Sequence, residues 1–114
     1  MKKIIKVKIL GHNWRIRFVP KKVLDEELGL NAWGFTFSER KCIDICDMFE
    51  VEDVERIITH ELTHAFICSQ GRTYQKKFTQ EEVAEFIAWT LEEIKKVKDQ
   101  IIKERFGKEV EVDE

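Results

Sequence analysis

His60-Glu61-Leu62-Thr63-His64 puts two imidazoles four residues apart, with a carboxylate directly after the first. On an α-helix, positions four apart stand one above the other on the same face, so two ring nitrogens can approach a single ion to about 2 Å each. Glu61 then lies roughly 100° around the helix, where its carboxylate reaches a water at the ion without ligating the ion itself. Five residues thus offer two metal ligands and a general base, the combination used in metal-assisted hydrolysis. Paired histidines also arise by accident, but the chain has only 3 His. Shuffling its composition gives the full pattern in about one chain in a hundred, which favours a zinc site over coincidence.

A helix must carry this pattern, and the flanks agree. Asp53-Val54-Glu55-Arg56-Ile57-Ile58-Thr59 leads in and Ala65-Phe66-Ile67-Cys68 leads out, with neither Pro nor Gly before Gly71, the expected C-terminal cap. Val54, Ile58, Leu62 and Ala65 recur at helical spacing and form an apolar stripe opposite the histidines. One face packs and the other is available to a metal. Residues 47–53 read as an acidic connection into this helix.

Upstream, period-2 patterns predict strands. Ile5, Val7 and Ile9 alternate with Lys6 and Lys8; after a turn at Gly11-His12-Asn13, Trp14, Ile16 and Phe18 alternate with Arg15 and Arg17, giving a hairpin closed by Pro20. The outward lysines and arginines read as a solvated face. Residues 21–30 suggest one short helical turn stopped by Gly29. Trp33, Phe35 and Phe37 alternate with Gly34 and Thr36, a polar turn spans residues 38–41, and Ile43 and Ile45 alternate with Cys42, Asp44 and Cys46, predicting a second hairpin. Cys42, Asp44 and Cys46 share one face, a weaker candidate for a second metal site.

Downstream, residues 72–77 form a basic loop, and Thr79-Gln80-Glu81-Glu82 reads as a capping box that opens a long helix. Val83, Ala84, Ile87, Leu91, Ile94 and Ile101 keep helical spacing to about residue 105, and residues 106–114 read as a frayed acidic tail. A catalytic zinc usually has three protein ligands, and this second helix offers Glu81, Glu82 and Glu85. Glu82 is explained by the capping box. Glu81 and Glu85 are one turn apart on one face, as a ligand and a supporting carboxylate would be. His12 is a weaker third-ligand candidate, because nothing around it repeats a ligand spacing.

His60-Glu61-Leu62-Thr63-His64 followed after a loop by Glu81-Glu82-Val83-Ala84-Glu85 resembles a minimal gluzincin, similar to the small phage-type and ImmA/IrrE-like metallopeptidases. The resemblance covers residues 33–95. It implies one Zn2+ per chain held by His60, His64 and a second-helix acid, with Glu61 as catalytic base. Matching the pattern of Glu, two residues, a small residue and an acid favours Glu81 as the ligand. Glu85 stands where relatives often carry Asp or Asn, and is the supporting carboxylate or the alternative ligand. It also implies that an edge strand, residues 33–37 or 42–46, pairs with an extended peptide or protein substrate, and that an oxyanion is stabilised, for which Tyr74 and Arg72 are candidates.

The expected fold is therefore α+β and zincin-like: a small, antiparallel-dominated sheet of two hairpins, covered by the motif helix and a long C-terminal glutamate helix. With 114 residues the chain has room for one domain, 1–114. Its 43% hydrophobic and 37% charged composition and net charge of -2 give no global argument for nucleic acid or an anionic membrane. No apolar run approaches the ~20 residues that span a bilayer, and the N-terminus lacks a secretory pattern. Three Cys, an odd number, fit reduced thiols, so a cytoplasmic location is expected. The expected activity is zinc-dependent peptide-bond hydrolysis. Two rivals keep the metal: a zinc-stabilised regulatory or binding module without turnover, and a small zincin acting on DNA-bound protein, against which the charge balance argues.

Overall fold

The computed structural model describes residues 2–29, 32–70 and 79–107. β1 (Ile4–Ile9) and β2 (His12–Val19) pair antiparallel, with Ile9 opposite His12. Leu10 and Gly11 alone connect them, at φ 50° and 83°, the positive values that a two-residue hairpin turn requires. The turn therefore precedes the expected Gly11-His12-Asn13, and His12 and Asn13 already belong to the strand. α1 (Lys21–Leu28) makes two turns rather than one and ends on Gly29 in the left-handed region, as the sequence suggests.

β3 (Gly34–Phe37) and β4 (Cys42–Cys46) form the second hairpin, with Phe37 opposite Cys42. The two hairpins join through β2 and β4, which run parallel with Arg15 opposite Cys42 and Val19 opposite Cys46. The sheet order is β1-β2-β4-β3, so the sheet is mixed, with two antiparallel ladders flanking a parallel one. Of the two strands suggested as an edge, β3 is the edge and β4 is interior.

One face of the sheet carries the core. Ile5, Val7, Ile9, Trp14, Ile16, Phe18, Ile43 and Ile45 are buried there against α2 (Val51–Ser69) and α3 (Gln80–Phe106). From α2 come Val54, Ile58, Leu62 and Ala65, the expected stripe, joined by Phe66. The helix begins inside the stretch expected to connect to it, and Glu52 and Asp53 in its first turn suit the positive end of its dipole. Leu24 of α1 is fully buried, and the β4 positions on the opposite sheet face, Cys42, Asp44 and Cys46, are buried as well.

α3 opens with the expected capping box: Glu82 N–H donates to Thr79 Oγ1 at 3.1 Å and Thr79 N–H to Glu82 Oε1 at 3.0 Å. Its inward face runs through Ile94, Val97 and Ile101 and continues towards the N-terminus through buried Thr90 and half-buried Phe86; Val83, Ala84, Ile87 and Leu91 are exposed despite their helical spacing. Ile87 and Leu91 each follow an inward residue, Phe86 and Thr90, and so stand about 100° around the helix from the packed face. A helix of 27 residues is about 40 Å long, whereas the longest strand has 8 residues and spans about 27 Å, so α3 overhangs the sheet. Phe106 is half-buried and Gly107 buried, so the C-terminal end is packed up to Gly107, and the rest of the expected tail lies outside the described residues. No described helix is long and apolar enough to cross a membrane.

Candidate metal centre and catalytic base

Burying Val54, Ile58, Leu62 and Ala65 turns the opposite face of α2 away from the core, and this places His60 and His64. His60 is exposed and His64 half-buried; their ring centroids are 4.8 Å apart with planes at 81°. Two imidazoles one turn apart have the donor type and proximity for a shared ion, whose nitrogen ligands sit about 2.0–2.1 Å away in zinc sites. Burial pushes the His64 pKa down, and the neighbouring His60 adds to this, while the Glu61 carboxylate opposes it. The net shift favours neutral imidazole, the form that ligates metal.

Glu61 departs from the pattern of its neighbours. Although it lies on the motif helix next to exposed His60, it is only 7% exposed. The cause is β3. Its alternation turns Phe35 outward at 40% exposure and Thr36 inward at 6%, and the inward Thr36 hydroxyl donates to Glu61 Oε1 at 2.7 Å. The same hydroxyl lies 3.0 Å from the Glu61 carbonyl oxygen. Gly34, also on the inward side, lets the strand approach: a Cβ there would stand 2.9 Å from Ile57 Cγ2 and 3.3 Å from Glu61 Cγ.

Beside these residues runs an open groove of about 630 Å³, lined by residues including Trp33, Phe49, Ile57, Arg56, His60 and Glu61. Trp33 and Phe49 meet edge to face, with centroids 5.0 Å apart, and make its aromatic wall. The groove thus joins an apolar surface to one histidine and the buried carboxylate, with the edge strand on its border.

The carboxylates of α3 sit differently. Glu81 and Glu85 are both exposed, and Glu85 Oε2 accepts the Trp89 indole N–H at 3.1 Å. His60, Glu61 and His64 are neighbours in sequence, and among the described residues no group of three or more His, Cys, Asp or Glu side chains is gathered for a metal. His12 is exposed at the start of β2. Arg72, Tyr74 and the Gly71 cap lie outside the described residues, as does the basic loop; Gln70 caps α2.

The face shared by Cys42 and Asp44 is held by an ion pair. Arg17 donates from Nε to Asp44 Oδ1 at 2.8 Å and from Nη2 to Oδ2 at 2.6 Å, and Cys42 Sγ donates to Oδ1 at 3.3 Å. Burial first, then the adjacent Asp44 carboxylate, push the Cys42 thiol pKa up, against what a thiolate ligand needs.

Gly34, Thr36 and the groove walls Phe49 and Arg56 are absent from the sequence-predicted site. The available signal was the size contrast within β3, since small residues at 34 and 36 opposite aromatics at 33, 35 and 37 fit a strand whose small side faces a close helix. No family model matches the chain, and comparison with curated proteins and with solved structures likewise gives no match.

Proposed function

We propose that the protein is a cytoplasmic, zinc-dependent metallopeptidase with a zincin-like fold of the gluzincin kind. One observation carries the reading: the two histidines share one face of α2, and between them in sequence is a carboxylate buried beside a groove that ends at a sheet edge. His60 and His64 hold the metal. Glu81 would be the third ligand, with Glu85 its supporting carboxylate or the alternative; local engagement of Glu82 at Thr79 and of Glu85 at Trp89 favours Glu81. When bound, zinc supplies Lewis-acid polarisation of the scissile carbonyl and of the attacking water.

The chain's own residues do the rest. β3 offers its outer edge to an extended peptide, whose main chain adds as a further strand while the Trp33 and Phe49 wall receives a side chain. Glu61, at the groove, takes the proton from the attacking water and passes it to the leaving amine. Free Cys42, Cys46 and Cys68 support a reducing compartment.

Metal analysis of the purified protein together with hydrolysis of a peptide library tests the reading. One equivalent of zinc is expected, lost in His60→Ala and His64→Ala. Glu61→Gln should keep the metal and lose about 10²-fold or more in hydrolysis, because an amide accepts no proton. Hydrolysis by Glu61→Gln at the wild-type rate removes Glu61 from the mechanism; stoichiometric zinc in the double histidine variant removes the site.

A further inference from the structure

We propose that Thr36 is a positioning residue for the general base: its hydroxyl fixes the Glu61 carboxylate at the groove, and the inference rests on the hydrolytic reading above. A glutamate side chain has three rotatable bonds, and nothing in a helix alone selects the rotamer that proton transfer needs. At Glu61 the selection comes from the neighbouring strand. Thr36 Oγ1 is 2.7 Å from Oε1 and 3.0 Å from the Glu61 carbonyl oxygen, so one hydroxyl touches both the end of the side chain and the backbone from which it springs. It has a single proton, and the closer, charged Oε1 is the stronger acceptor.

Both partners are out of water, at 6% and 7% exposure, where the hydrogen bond is strongest and a carboxylate without a donor is least tolerated. The contact also depends on the backbone, because Gly34, two residues earlier on the same strand face, lets β3 come close to α2 beside Glu61. Thr36 is not among the groove-lining residues, whereas Glu61 is. The Thr36 hydroxyl therefore acts through Glu61 and not on the substrate.

A packing role and a positioning role make different demands on position 36. Packing requires only the shape, which Val reproduces; positioning requires the hydroxyl, which Ser retains. With zinc-loaded full-length protein and a library peptide cleaved by the wild type, Thr36→Val should lower kcat about 10- to 100-fold, leave KM within about twofold and keep one zinc per chain. Thr36→Ser should recover most of kcat. Should Thr36→Val not fold, Thr36→Ala against Thr36→Ser makes the same comparison. A kcat for Thr36→Val within twofold of wild type, or equal losses in the Ser and Val variants, overturns the assignment of Thr36 while the hydrolytic reading stands. Zinc-loaded wild type that cleaves no library peptide overturns that reading, and the role of Thr36 with it.

Discussion

Asp44 holds a carboxylate inside the sheet with none of its surface exposed, and Arg17 on the adjacent strand meets it with two hydrogen bonds. That bonding raises the guanidinium pKa further, against the lowering effect of burial. Taking away one member of such a pair leaves a buried charge, so Arg17→Leu should lower the unfolding free energy in urea by about 3 kcal/mol. Arg15→Leu, two residues away and exposed, should change it by about 0.5 kcal/mol or less. Equal effects would mean that both arginines are simply solvated. Sequence alternation sees only that both point to the same side; what separates them is the register that sets Arg17 opposite Asp44, a pairing across 27 residues with no local signal. His64 gives the residue scale its pH dependence. Burial lowers its pKa in the fold, so between the ordinary value near 6.5 and the folded value the unfolded chain binds more protons. The metal-free protein should therefore lose stability as pH falls below about 6.5, with a slope of at most about 1.4 kcal/mol per pH unit from this group. Denaturation curves at pH 7.5 and 5.5 measure it, and His64→Gln should flatten the difference.

At the scale of elements, the close approach of β3 to α2 is the feature on which the candidate base depends. A methyl at Gly34 would meet Ile57 Cγ2 at 2.9 Å, a separation that side chains do not tolerate, and Glu61 Cγ at 3.3 Å. Gly34→Ala should push strand and helix apart, at about 1–3 kcal/mol in unfolding free energy. Removing the obstructing branch should relieve it: Gly34→Ala with Ile57→Ala is expected to be less destabilised than the two single changes add up to, a coupling that a double-mutant cycle reads directly. Additive losses would show that the strand yields without strain. Most elements were legible in the sequence because their signals are local. Strict alternation marked β1 and β2, the stripe from Val54 to Ala65 marked α2, and Thr79 with Glu82 marked the start of α3. The outward turn of Phe35 was not legible, since alternation gives two faces and hydrophobicity alone chooses the wrong one. The Arg40 guanidinium lies over the Phe37 ring at 3.9 Å, and the Phe37 and Phe35 rings meet at a tilt of 57° with centroids 4.8 Å apart, which covers part of that aromatic face without a core.

For the molecule as a whole, the proposed zinc site would couple α2 to the start of α3. Val83, Ile87 and Leu91 are exposed there and inward packing falls to half-buried Phe86 and buried Thr90, so this half of the helix is held by less apolar contact than Ile94, Val97 and Ile101 give the other. A zinc ligand at Glu81 would tie it to His60 and His64, and metal that binds only the folded chain raises stability by RT ln(1 + [L]/Kd). Zinc should thus raise the unfolding midpoint of the wild type, and the order in which substitutions remove that gain identifies the ligand. Glu81→Ala should remove most of it. Glu85→Ala should weaken zinc by about 10- to 100-fold, or roughly 1.4 to 2.7 kcal/mol of the gain at saturating metal. Glu82→Ala should cost about 1 kcal/mol with or without metal, because its carboxylate serves Thr79 in the capping box. If Glu85→Ala instead proves far more damaging than Glu81→Ala, the ligand lies one turn further along α3. If neither changes the zinc-dependent gain, α3 contributes no ligand, the likeness to gluzincins fails at its second motif, and His12 is the next residue to test.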